Sequence, residues 1–191
     1  MHTLGPKIVV PRLRGRFGHP YLYAETTAST QRMFTPEHTE GAVAVAEEQT
    51  EGRGRLGRTW TSPPGVNVLC SVLLEPRVET PRLPELSLVA GEACATAMRS
   101  VTAVEPAIKP PNDVLLGGQK VAGILAEARD GRVVLGIGVN VNMDPAALPG
   151  DLRARATSLA AELGAQVDRV EVLLTLLEAL EEHYEIWLRR V

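Results

Sequence analysis

Two turn dipeptides constrain this chain more than any other feature. Gly117-Gly118 and Asp130-Gly131 each stand between runs of strand-forming residues, "DVLL", "QKVAGILAEA" and "RVVLGIGVNVN". A two-residue loop of this chemistry can only reverse the chain into a neighbouring antiparallel strand. Residues 113 to 142 are therefore predicted to form a meander, and the rest of the chain must pack around it. Upstream, "AVAVAEE" (42 to 48) and "VNVLCSVLLE" (66 to 75) read as further strands, the second with Val66, Val68, Cys70, Val72 and Leu74 on one apolar face.

The helices sit elsewhere. Residues 84 to 101 repeat Leu86, Val89, Ala93 and Ala97 at helical spacing, with Pro84 suited to the first turn. A short helix is predicted over 157 to 164, with Thr157 as N-cap and Gly164 as stop. Asp168 with Glu171 resembles a capping box for a last helix within 166 to 191, whose buried stripe is Leu173, Leu177, Leu180, Tyr184 and Trp187 or Leu188. Residues 1 to 20, rich in Pro, Gly and Arg, are expected to be an extended lead-in. The fold class predicted is α+β in a single domain over 1 to 191, with helices packed on a largely antiparallel sheet.

Composition narrows the function. At 191 residues the chain can bury a real core, and its formal net charge of −3 argues against a general nucleic-acid binder. No run approaches the ~18 apolar residues of a membrane span, and no signal-peptide core opens the chain. Cys70 and Cys94 have no metal-ligand spacing and read as reduced, buried thiols, so a cytoplasmic location is expected.

Four stretches could carry chemistry. "EGRGRLGRTW" (51 to 60) interleaves Gly52, Gly54 and Gly57 with Arg53, Arg55 and Arg58 and closes on Trp60. It lacks the Gly-Lys-Ser/Thr of a Walker A loop, but its guanidinium forks suit carboxylate or phosphate oxygens. A solvated basic loop is the competing reading. "KPPNDVLLGGQKVAGILAE" (109 to 127) presents Asn112 and Asp113 from a proline-stiffened turn. It also places Lys120 in an apolar strand, where an ammonium needs an anion or an exit to water. Gly123 in the same strand removes a side chain where a ligand could approach. "GIGVNVN" (136 to 142) puts Asn140 and Asn142 on one strand face, though strand-end asparagines are often only turn formers. "ETTASTQ" (25 to 31) offers Ser29, Thr30 and Gln31 as neutral donors and acceptors, or as ordinary helix caps.

In this order the stretches resemble the catalytic domain of biotin protein ligases, a class II synthetase-like fold shared with lipoate ligases. The matching text is "STQ", Gln49, "GRGRLGRTW", "SPPGVN", "KPPND", "KVAGIL" and "GIGVNVN", over roughly residues 20 to 143. The resemblance implies ATP-dependent activation of biotin to biotinyl-5'-AMP, with Mg²⁺ accompanying ATP, and transfer to a lysine of a biotin carboxyl carrier protein. It implies that Ser29, Thr30, Gln31 and Gln49 meet the ureido ring. Arg53, Gly54 and Arg55 would close over biotin and its adenylate. Lys120 would bridge carboxylate and α-phosphate with the Gly123 backbone beside the ligand, Lys120 and Arg55 being the catalytic pair. Arg58 and Arg55 would face the phosphates, Trp60 would stack on adenine, and Asn112 and Asn140 would line the nucleotide pocket. No metal ligand is assigned. A homodimer is a family expectation, and DNA and membrane partners are not expected. Neither the helix-turn-helix of repressor-type members nor their C-terminal barrel is visible in the sequence. Pro110 replaces the tryptophan common before the family's P-N-D. Lipoate or octanoate transfer, and a non-catalytic biotin or adenylate sensor, are the alternatives.

Overall fold

The computed structural model describes residues 3–129 and 131–190. Seven strands form one sheet: β1 (Tyr21–Thr27), β2 (Val43–Gln49), β3 (Val68–Leu74), β4 (Ala107–Lys109), β5 (Asp113–Leu116), β6 (Gln119–Arg129) and β7 (Arg132–Val139). Their order is β1-β2-β3-β7-β6-β5-β4; β1 pairs parallel to β2 and every other pair is antiparallel. The expected α+β class and mostly antiparallel sheet are what the structure shows. At the Gly117-Gly118 turn both residues take left-handed φ, 54° and 83°, as a tight hairpin requires. The next hairpin, Arg129 opposite Arg132, is also formed; its Asp130 lies outside the described residues.

The helices are α1 (Pro6–Val9), α2 (Leu86–Thr102), α3 (Gly150–Arg153), α4 (Leu159–Leu163) and α5 (Arg169–Leu188). The long α2 and α5 pack on each other and cover one sheet face, burying Leu86, Ala90, Leu173, Leu177, Leu180 and Tyr184 against alternate strand residues such as Val72, Val114 and Leu135. The residues between those alternates, among them Leu69, Ser71, Gly136 and Gly138, therefore face the other side. There the 3₁₀ turn Thr30–Arg32 leans on β2, β3 and β7.

Several sequence expectations need correction. The lead-in is not extended throughout: Pro6–Val9 is helical and Val10–Arg12 continues as a 3₁₀ turn, because Pro6 fits the first helical turn. Pro84 falls in a separate 3₁₀ turn, Thr80–Glu85, before α2 begins. β3 is buried on both faces rather than one, since the segment after β1 covers its second side. The cap of α4 is Ser158, which accepts from the Ala161 amide, while Thr157 donates to Glu162 instead. Asp168 does cap α5 by accepting from the Val170 amide, but Glu171 turns away to pair with Arg12. Ala107–Lys109 is too short to announce itself, and Tyr21–Thr27, though seven residues long, lacks a clean alternation.

Candidate active site

A cavity of about 870 Å³ opens on the sheet face opposite the two long helices. All thirteen predicted site residues line it: Ser29, Thr30, Gln31, Gln49, Arg53, Gly54, Arg55, Arg58, Trp60, Asn112, Lys120, Gly123 and Asn140. Residues up to 111 positions apart in the chain thus share one wall system only because the sheet stacks their strands.

One end is neutral and hydrogen-bonding. Thr30 donates its backbone N–H to Gln49 Oε1 at 2.8 Å, and its hydroxyl lies 3.1 Å from the same oxygen. Ser71 Oγ stands 2.7 Å from the Thr30 hydroxyl. Gln31 lies over Gly136, where a Cβ would come within 3.0 Å of its amide nitrogen, and donates to Leu125 O at 2.9 Å. Ser29 and Thr30 are almost fully buried.

The other end is cationic. Lys120 leaves β6 just after the hairpin and meets Asp113 Oδ1 at 2.6 Å, with both side chains about a third exposed. Its ammonium also lies 5.4 Å from the centre of the Trp60 ring, a favourable position over a π face. The backbone of Lys120 is held from the far side, donating to Arg155 O and accepting from the Thr157 amide. The apolar surroundings of Lys120 thus have the carboxylate they require.

The indole of Trp60 lies flat on β6 and β7. A Cβ on Gly138 would sit 2.6 Å from it, and one on Gly123 would sit 2.7 Å from it and 2.9 Å from the Lys120 nitrogen. The bare face at Gly123, expected to admit a ligand, is covered in this structure by Trp60 and Lys120. Trp60 Nε1 is buried with no partner among the described residues.

The glycine loop itself is compact. Trp60 N–H donates to Gly52 O, Gly54 N–H to Arg58 O, and Arg55–Gly57 makes one 3₁₀ turn. Leu56 at its tip is 85% exposed and takes φ 58°, a left-handed conformation unusual for leucine. Arg53 pairs with Glu127 at 2.5 Å, and Arg55 donates to Asn112 Oδ1 at 3.2 Å. Arg58 is exposed and its guanidinium has no partner among the described residues.

Not every asparagine is free for ligand. Asn112 spends its amide on Ile124 O. Asn140 is buried and donates to Thr157 O at 3.0 Å, while Asn67 donates to it at 3.4 Å. Asn142 leaves the face expected for it and pins the start of α5 through Val167. Asn140 and Asn142 thus fasten the chain that follows β7. Cys70 touches the cavity from below, but burial pushes its thiol up to about 12, so it is no nucleophile.

Sequence reasoning missed part of the rim. Leu148, Leu152, Arg155 and Ala156 line the cavity from the stretch between β7 and α4. Their signal was only that Ala156 and its neighbours run beside Lys120, a pairing no local pattern encodes. Ser71, which stands behind the wall rather than on it, was missed because it hides in an apolar strand.

Residues 23–144 match the family model described as "Biotin/lipoate A/B protein ligase family". The chain belongs to that family. It is 42% identical over 154 residues to a biotin–[acetyl-CoA-carboxylase] ligase of Mycobacterium tuberculosis, covering 78% of this chain and 56% of that protein. It is 36% identical over 176 residues to the bifunctional ligase/repressor BirA of Bacillus subtilis strain 168, covering 87% of this chain and 54% of that one. The chain thus spans about half the length of the curated relatives it matches. A solved biotin protein ligase from Aquifex aeolicus, in complex with biotin and ATP, superposes with a TM-score of 0.79 at 34% identity, over 87% of this chain and 70% of that one. As a family member the chain shares this relatives' catalytic-domain fold, and the motifs quoted from its sequence fall inside the matched span.

Proposed function

We propose that this family member activates biotin with ATP to biotinyl-5'-AMP and passes the acyl group to a lysine of a biotin carboxyl carrier protein. The observation carrying this reading is the polarity of the cavity: a neutral hydrogen-bonding wall at Thr30 and Gln49 faces a cationic end at Lys120, Arg55 and Arg58. A urea head joined by an alkyl chain to a carboxylate has the same polarity. The named relatives, and the biotin and ATP in the Aquifex complex, support it.

The chemistry follows from charge. Joining a carboxylate to the α-phosphate of ATP brings two anions together, and the carboxylate oxygen displaces pyrophosphate. Lys120, at the junction, exchanges Asp113 for these oxygens and offsets their repulsion. Arg55 and Arg58 hold phosphate oxygens as forks. Among the described residues no three acidic, His or Cys side chains group to hold a metal, so magnesium is expected to travel with the triphosphate rather than in a protein cage. Arg53, Gly54 and Arg55 close over the mixed anhydride and keep water out until the carrier lysine attacks. In this reading Trp60 stacks on the adenine, and Gly123 and Asn140 shape the wall. Ser29, Gln31 and Asn112 complete the lining, and function as a homodimer in the cytoplasm belongs to the same reading.

Incubating the protein with biotin, α-labelled ATP and Mg²⁺ should yield labelled biotinyl-AMP. Lys120→Ala should lower that rate about 10²–10³-fold with the fold intact. Lipoate should fail, because it leaves the buried donors and acceptors of the neutral wall unpaired. Equal turnover of lipoate would replace this reading with the lipoate one.

A further inference from the structure

Every residue of β3 from Val68 to Leu74 is buried, and Ser71 is the one hydroxyl among them, with no exposure at all. Alanine would satisfy such a strand as well, and a buried hydroxyl is costly unless it is paired. Among the described residues Ser71 is paired with Thr30 alone, on the face of the sheet that lines the cavity.

The geometry of this cluster favours one assignment of its protons. The Thr30 backbone N–H points at Gln49 at 2.8 Å and can only donate, so the carboxamide atom facing it must be the oxygen. The Thr30 hydroxyl lies 3.1 Å from that same oxygen, which cannot donate, so the single Thr30 proton goes to Gln49. Thr30 then has only lone pairs left for Ser71. Ser71 is therefore the donor, and the chain runs Ser71 to Thr30 to Gln49.

We propose that Ser71 is a positioning residue for the acid substrate, acting through Thr30 on Gln49. It removes the rotational freedom of the Thr30 hydroxyl and commits the Gln49 oxygen inward. What remains for a ligand is one Thr30 lone pair and the Gln49 amide hydrogens, which have no partner among the described residues. That wall accepts an N–H and donates to a carbonyl, the two offers of a urea or cyclic amide, and gives nothing to a hydrocarbon or dithiolane head. Specificity for the head group is thus set one residue behind the surface the ligand touches. This inference rests on the biotin reading above.

The test compares Ser71→Ala, the isosteric Ser71→Cys and the hydroxyl-retaining Ser71→Thr. In Ser71→Ala the KM for biotin should rise about tenfold, the worth of one uncharged hydrogen bond, with kcat and the KM for ATP within twofold of the parent. Ser71→Thr should restore most of the loss, and Ser71→Cys, which keeps the packing, should follow Ser71→Ala. A merely structural role would lower the melting temperature and move none of the Michaelis constants. A ligand-free measurement separates this proposal from the reading it rests on. The Thr30 amide hydrogen should exchange at least fivefold faster in Ser71→Ala, while amides of α2 and α5 are unchanged. If the parent protein forms no adenylate from biotin, the functional reading falls and the Thr30 amide decides the positioning role. Unchanged Thr30 exchange, or a biotin KM within twofold of the parent in folded Ser71→Ala, overturns the proposal.

Discussion

Two segments of this chain look alike and behave oppositely. "RLRGR" (12 to 16) and "GRGRLGR" (52 to 58) each interleave three arginines with glycine. In the first, every arginine meets a carboxylate: Arg12 pairs with Glu171, Arg14 with Glu178 at 4.0 Å, and Arg16 with Glu40 and Glu181 at 3.2 and 3.5 Å. Glu171, Glu178, Glu181 and Glu185 stand on α5, so the lead-in is laced along that helix. In the second, Arg53 has Glu127, Arg55 has only the neutral Asn112, and Arg58 has no partner among the described residues. Binding capacity for an anion is therefore a property of what the fold leaves uncompensated, not of how many arginines a stretch contains. The first segment is mortar; the second carries charge that the fold leaves open.

The largest expected effect tests the anchoring half of this contrast. The lead-in begins at Glu47, which accepts from the Leu4 amide and Thr3, and which also pairs with the buried Arg169 at 2.7 Å. Arg169→Met should destabilise the protein by about 3 kcal/mol in urea unfolding, because it leaves the partly buried Glu47 carboxylate without its cation. The pH dependence follows. Burial pushes the Glu47 carboxyl up, but donation from Arg169, Leu4 and Thr3 outweighs it and holds the group below its ordinary range. A lowered native pKa stabilises the fold above the unfolded value of about 4.3 and loses that stability as pH falls through the native one. Acid unfolding should thus steepen below about pH 4.3, and Arg169→Met should flatten that limb.

Next comes the half that the proposed activity would use. Arg55→Ala should cut adenylate formation about 10²–10³-fold while leaving the melting temperature within a degree or so, whereas Arg16→Ala should do the reverse. Both measured in one preparation, by labelled adenylate and by calorimetry, would break the comparison if the two variants behaved alike. Limited trypsin digestion sharpens it further. Cuts after Arg53, Arg55 or Arg58 should be suppressed by biotin with ATP, and cuts after Arg12 or Arg14 should not respond to ligand. The smallest effect is Arg14→Ala. Its exposed 4.0 Å pair predicts a stability change under about 0.5 kcal/mol, vanishing in high salt.

Much of the sheet was readable because the hairpin glycines and period-two runs speak locally. That the motif residues would share one cavity was readable too, since most lie on strand ends or on the loop that the patterns delimit. The lead-in was misread as extended because its proline and glycines suit a coil, while the glutamates that hold it lie more than 150 residues away for Arg12 and Arg14. The N-cap of α4 slipped by one because Thr157 and Ser158 are chemically equivalent caps and only tertiary contacts choose between them. Ser71 was silent for a different reason. One hydroxyl in an apolar strand carries no pattern, and its meaning depends on Thr30 arriving over it.

The double grip on the Lys120 backbone has a consequence for how such a protein can change over time. Arg155 and Thr157, either side of Ala156, both bond that residue's backbone, and Asn140 ties Thr157 to the end of β7. The stretch from 140 to 157 is thus a closed ring of fixed circumference, with the lysine as one of its fastenings. Its side chains can be exchanged one at a time, but the ends at residues 155 to 157 cannot shift in register without dragging Lys120 along. Insertions and deletions should be absorbed at the exposed crest around 150 to 154, and each one that reaches the ring should be read out as displaced chemistry rather than as lost stability.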